Sequence, residues 1–268
     1  VKSGMSDGDV KNVDAKEETP SVEFKNVSLT YSGSGAPSVE GINFKAMKGQ
    51  TIGVIGGTGS GKSSLVNLIP RLYDATQGEV IVDGVNVKEY DIETLRNKVG
   101  IVMQKAVLFK GTIRENMWMG KKGATDEQID EALEISQSKE FVDSKEGRLD
   151  YPIEQGGKNL SGGQRQRLTI ARAIVRKPDV LILDDSASAL DFATDAALRK
   201  AIRGMNNSPT VFIVSQRAAS LMYADLIIVL DDGQVAGMGT HDELLANCEV
   251  YKEIYESQFK KADSEGVA

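Results

Sequence analysis

Apolar and polar side chains alternate through Val22-Glu23-Phe24-Lys25-Asn26-Val27 and Ile42-Asn43-Phe44-Lys45-Ala46. That period of two predicts half-buried strands, separated by a turn at Ser32-Gly33-Ser34-Gly35. Thr51 to Ile55 is a short apolar strand, and a glycine-rich loop leads from it into a helical run, Ser63 to Ile69. From Gly111 to Arg176 no strand-like run occurs, whereas Asp126–Gln137 and Leu168–Val175 carry helical spacing; the pattern predicts a helical insert. Trp118, between Met117 and Met119, is expected in its local core. The continuous apolar runs Val180–Leu183, Val211–Val214 and Leu226–Leu230 suit a parallel sheet covered on both faces. Helix is expected from Thr240, ending in a polar tail at 261–268. Residues 1–20 are polar and aperiodic, as in a linker or expression remnant, which leaves one domain over 21–260.

Composition narrows the function classes. With 40% hydrophobic and 26% charged residues, the 268-residue chain is globular. Its net charge of −7 argues against a general nucleic-acid binder, which carries a basic surplus. The lone cysteine, Cys248, can form no internal disulfide and fits a reducing compartment. No run approaches the roughly 18 to 20 apolar residues of a membrane span, and no amino-terminal apolar core reads as a signal peptide. If the protein serves a membrane, another segment or chain does the crossing.

Candidate chemistry begins at Gly56-Gly57-Thr58-Gly59-Ser60-Gly61-Lys62-Ser63, a phosphate loop with a strand before and a helix after. Glycines allow close backbone approach, so successive amides of Gly57, Thr58, Gly59, Ser60, Gly61, Lys62, Ser63 and Ser64 can surround phosphate oxygens. Lys62 supplies a point charge for the β- and γ-phosphates, and the Ser63 hydroxyl can ligate Mg²⁺. Leu181-Ile182-Leu183-Asp184 ends a strand in a carboxylate suited to the same ion.

Leu160-Ser161-Gly162-Gly163-Gln164, just before Arg165-Gln166-Arg167-Leu168, completes a set that resembles an ATP-binding cassette (ABC) nucleotide-binding domain over about residues 21–259. The resemblance implies a RecA-like α/β core with an antiparallel β subdomain and an α-helical subdomain. It implies ATP and Mg²⁺, and a head-to-tail dimer in which one chain's signature, Leu160 to Gln164, completes the partner's site. In that frame Tyr31 matches the aromatic that stacks on adenine. Gln104 matches the residue reaching Mg²⁺ and the attacking water, and Ser188-Ala189-Leu190-Asp191 matches the loop crossing the interface. Leu108 to Asn116, Glu154 to Asn159 and Gly239 to Leu245 resemble exporter segments. They imply a transmembrane domain as partner, at the cytoplasmic face of the cell membrane. No long coiled coil separates Lys62 from Asp184, as it would in chromosome-organising relatives.

Two positions depart from the family pattern. Asp185 stands where glutamate is usual, and Gln216 where the switch histidine is usual; the only histidine, His241, lies in a helix-starting Thr240-His241-Asp242-Glu243. Loss at both catalytic positions with every binding residue kept implies the degenerate half of a heterodimeric exporter. A nucleotide-gated regulatory module with negligible turnover, and a slow homodimeric exporter, are the alternatives at this stage.

Overall fold

A computed structural model describes residues 19–185 and 190–265, with side chains to residue 258. In chain order its strands and helices are β1 (Val22–Leu29), β2 (Val39–Ala46), β3 (Thr51–Gly56), α1 (Lys62–Asn67), β4 (Gln77–Val82), β5 (Val85–Asn86), α2 (Ile92–Lys98) and β6 (Val99–Val102). Then come β7 (Gly111–Thr112), α3 (Ile113–Gly120), α4 (Asp126–Ile135), α5 (Lys139–Asp143), β8 (Pro152–Ile153), α6 (Gly162–Ile174) and β9 (Val180–Asp184). The chain closes with α7 (Phe192–Arg203), β10 (Thr210–Val214), β11 (Leu226–Asp231), β12 (Gln234–Gly239), α8 (His241–Asn247) and α9 (Glu249–Glu265). Helix α9 continues past residue 260, into the stretch expected to be a polar tail.

Six strands form the main sheet in the order β12-β11-β3-β10-β9-β6. All neighbours are parallel except the edge hairpin β11–β12. Its apolar runs are continuous because alternate residues feed two cores. Val180, Ile182, Phe212, Val214, Ile228 and Leu230 pack on one face, and Leu181, Leu183, Val211, Ile213, Ile227 and Val229 on the other. The first core is shared with the antiparallel sheet β2-β1-β4-β5, where Phe24 stacks on Phe44 at 4.6 Å. The second extends into the helical region through Ile113, Met117, Ile129, Leu133, Val142, Leu149 and Leu168.

The helices of that region start where side chains cap them. Thr112 with Glu115, Thr125 with Gln128, and Ser161 with Gln164 each close a capping box, as Thr240 and Glu243 do at α8. Two expectations are corrected here. The insert is not purely helical: Gly111–Thr112 pairs antiparallel with Pro152–Ile153. Nor is Trp118 core. Met117 takes the buried face of α3, while Trp118 is 41% exposed and its indole N–H donates to the Ala124 carbonyl. Among the described residues no helix is long and apolar enough to cross a membrane.

Candidate functional site

Strand β3 ends at Gly56, and the loop turns into α1 at Gly61. Gly61 sits at φ +95°, and a Cβ there would lie 2.3 Å from the Ser38 carbonyl oxygen; only glycine fits. No side chain caps α1, so its first amides are left to the loop. Lys62 is buried, and its ammonium donates to the carbonyls of Gly56 at 2.9 Å and Gly57 at 2.6 Å. Burial lowers its pKa, opposed by the charges of Asp184 and Asp185. The Ser60 hydroxyl is buried among these groups with no partner among the described residues.

The parallel register brings the other members to the same sheet edge. Val214 pairs with both Val54 and Asp184, so β3, β10 and β9 finish together. Asp184 is 4% exposed; burial raises its pKa, and a hydrogen bond from Ser63 works the other way. Asp185 follows at φ +44°, a left-handed conformation held by its amide donating to the Val214 carbonyl at 2.9 Å. Its Oδ2 accepts from Gln104 Nε2 at 3.2 Å. Gln216 lies exposed in the loop after β10.

These groups line one cavity of about 290 Å³: Thr58, Gly59, Gly61, Lys62, Ser63, Ser64, Gln104, Asp184, Asp185 and Gln216. Ser38 and Ser215 line it too. The sequence reading missed both, because neither belongs to a motif and only the strand ends bring them here. The residues fit a magnesium ion held with phosphate oxygens. The buried Asp184 carboxylate, the Ser63 hydroxyl and the Gln104 amide are hard oxygen donors. Among the described residues no group of three or more His, Cys, Asp or Glu side chains is gathered around a point, so Asp184 would act with the neutral oxygens of Ser63 and Gln104.

Tyr31 lies at the margin rather than in the cavity lining. Its hydroxyl donates to Ser64 at 3.0 Å, and its ring meets the half-exposed Tyr73 edge-on at 4.9 Å, an aromatic neighbour the sequence did not single out. The signature is elsewhere: no residue of Leu160 to Gln164 lines the phosphate-loop cavity. Leu160 is buried in the helical core, and Ser161 accepts from the Gln164 amide at 3.2 Å at the exposed start of α6. Gly162 does line a second cleft, which Gln104 shares with Arg165 and Gln166. Of the expected interface loop, Ser188 and Ala189 lie outside the described residues. Leu190 packs partly on the core, and Asp191 caps α7 by accepting from the Thr194 amide at 2.9 Å.

The exporter-like segments are tied to one another. The buried Asn116 side chain accepts from the Phe109 amide and donates to the carbonyls of Phe109 and Thr112. The Gly156 amide donates to Leu108 O at 3.1 Å. Phe109 is thereby held half-exposed on a groove of about 330 Å³, with Leu72 and Met119 beside it and Arg96, Arg172 and Arg176 along its wall. The Arg172 guanidinium lies over the Phe109 ring at 5.7 Å.

Comparison with known proteins agrees with this geometry. The family model described as ABC transporter matches residues 39–188. An uncharacterised ABC transporter ATP-binding protein of Mycobacterium tuberculosis strain H37Rv is 42% identical over 249 residues, 92% of this chain and 42% of its own length. YfiB of Bacillus subtilis strain 168, also an uncharacterised ABC transporter ATP-binding protein, is 43% identical over 91% of this chain and 42% of its own length. An ATP-binding/permease protein of Staphylococcus aureus strain NCTC 8325, whose name provisionally assigns it to multidrug export, is 38% identical over 88% of this chain and 41% of its length. The chain thus spans about two-fifths of the length of the curated relatives it matches. The solved structure of a bacterial Atm1-family ABC exporter with ATP bound superposes with a TM-score of 0.85 at 32% identity, covering 94% of this chain and 44% of that one. With the phosphate loop, Asp184 and Gln104 gathered on one sheet edge and the signature on a helix start of its own, this chain belongs to the ABC transporter family and carries its ATPase fold.

Proposed function

We propose that residues 21–260 are the MgATP-binding domain of an ABC exporter, working at the cytoplasmic face of the cell membrane beneath a transmembrane domain. The observation that carries the reading is the single cavity lined by Lys62, Ser63, Gln104, Asp184, Asp185 and Gln216. Lys62 neutralises phosphate charge, and the loop amides hold the phosphate oxygens. Ser63, Asp184 and Gln104 would hold Mg²⁺, which when bound would neutralise phosphate charge. The half-exposed Phe109, on a groove walled by three arginines, offers the transmembrane domain an apolar and cationic seat.

The same reading makes this chain the catalytically weak half of a heterodimer. A water-positioning carboxylate on Asp185 stands about one C–C bond, ~1.5 Å, short of a glutamate's reach, and a misplacement near ~1 Å costs on the order of 100-fold. Gln216 can donate a hydrogen bond to a γ-phosphate but carries neither proton nor charge for catalysis. The intact signature then serves the partner's site, where Ser161 and the amides of Gly162 and Gly163 stabilise the γ-phosphate. The test compares Ser161→Arg with Asp185→Asn in the assembled transporter. Ser161→Arg should nearly abolish ATPase activity and Asp185→Asn should change it modestly; equal losses would overturn the degenerate assignment.

A further inference from the structure

The loop that carries Gln216 is fastened from the far end of the chain. Gln258, on α9, accepts the Ala218 amide on its Oε1 at 2.9 Å and donates its Nε2 to the Gln216 carbonyl at 2.7 Å. One primary amide thereby spans Arg217, holding a donor on one side and an acceptor on the other. Only one orientation of the amide satisfies both bonds, so the peptide planes at Gln216 and Ala218 are fixed relative to each other. The inner side of the loop is anchored as well. Ala218 is fully buried, Ser215 is buried, and the Ser215 hydroxyl accepts from the Arg217 amide at 3.0 Å. Gln216 is left exposed on this fixed backbone, lining the phosphate-loop cavity.

Helix α9 has its own footing. Tyr251, fully buried in its first turns, places its hydroxyl 2.8 Å from His241 Nδ1 at the start of α8. The helix that supplies Gln258 is therefore packed against the body of the domain before it reaches the loop.

We propose that Gln258 is a positioning residue for nucleotide discrimination: through the Gln216 carbonyl it sets the height at which the Gln216 side chain meets a terminal phosphate, so the carboxyl-terminal helix helps distinguish ATP from ADP. This rests on the reading that Gln216 faces the γ-phosphate. ADP lacks that group, so loss of the clamp weakens ATP binding and leaves ADP binding in place.

Calorimetric titration of the 268-residue chain with MgATP and MgADP tests it. Gln216→Ala should lower the preference for ATP over ADP by about fivefold, the factor one lost hydrogen bond is worth. Gln258→Ala should lower it by a similar factor with ADP affinity unchanged, and should add nothing in the Gln216→Ala background. Gln258→Glu supplies a pH signature. A protonated carboxyl can donate to the Gln216 carbonyl and accept from the Ala218 amide, whereas a carboxylate cannot donate. The ATP preference of this variant should recover as the pH falls through the ordinary carboxyl range near ~4.3, relative to the unsubstituted chain at each pH. If Gln216→Ala lowers the preference and Gln258→Ala does not, or if Gln258→Ala weakens both nucleotides equally, the positioning role is wrong. If Gln216→Ala leaves the preference intact, the placement of Gln216 at the γ-phosphate fails, and the positioning role falls with it.

Discussion

Helix α1 starts at Gly61 with no side chain over its first amides, whereas α6 starts at Ser161 under a closed capping box. Both starts lie within glycine-bearing motifs, yet they solve the problem of unpaired helix amides in opposite ways. At α1 the side chain that could have capped has been removed, and the backbone is forced through φ +95° against Ser38. The first amides sit beside the buried Lys62 and Asp184, where an anion can accept from them. At α6 the chain completes its own bonding, since Ser161 and Gln164 bond each other reciprocally. Each start has its own requirement. The first is incomplete without a phosphate. The second is complete alone and can still turn the Ser161 hydroxyl proton and the Gly162 and Gly163 amides outward.

Gly61→Ala should abolish the phosphate cradle at α1. The added Cβ meets the Ser38 carbonyl oxygen at 2.3 Å with φ in the left-handed region, so the loop cannot close. MgATP affinity should fall by two orders of magnitude or more, on the order of 3 kcal/mol, in a calorimetric titration. Retained affinity would show that the cradle tolerates a different backbone path.

The next effect in size is in pH. Burial raises the Asp184 pKa, and in the proposed site a metal would need the carboxylate. MgATP affinity should therefore decline on acidification from a higher pH than an ordinary aspartate would give, approaching tenfold per unit below that pKa. Stability without nucleotide should move the other way. A carboxyl whose folded pKa is raised costs stability when ionised, so this group's cost disappears as the pH falls through its folded pKa. Asp184→Asn should flatten both trends; a matching slope in the variant would assign them to another group.

The smallest effect sharpens the contrast from the other side. Ser161→Ala removes the α6 cap at a cost of about 1 kcal/mol, roughly 2 to 4 °C in melting temperature for a chain of this size. MgATP affinity of the isolated chain should stay unchanged, because no signature residue lines its own cavity. A change in affinity would mean that the two helix starts communicate within one chain.

Much of this was legible in the sequence, because the information was local. The runs at Val180, Val211 and Leu226 became the parallel sheet, since a strand covered on both faces must be apolar at every position. The phosphate loop was readable because glycine, lysine and serine at fixed spacing specify a backbone path. What escaped the sequence depends on long-range arrangement. Ser38 and Ser215 reach the cavity only through strand register, and Gln258 reaches the Gln216 loop across 42 residues. Trp118 defeated a rule of averages. It is flanked by two methionines, but a helix turns its three consecutive residues in different directions, and only Met117 faces inward. The strand pair at Gly111 and Pro152 is two residues long on each side, too short for any periodicity to show.

Trp118 is also the only tryptophan of the chain. It sits on α3 one residue before Met119, which lines the groove beside Phe109, and its ring is part-exposed while its N–H is engaged. The protein thereby carries a built-in optical gauge: with a single indole, ultraviolet emission has one principal source, and its colour follows how wet that ring is. A partner that buries the Trp118 ring itself shifts the emission to the blue, without any dye or added label.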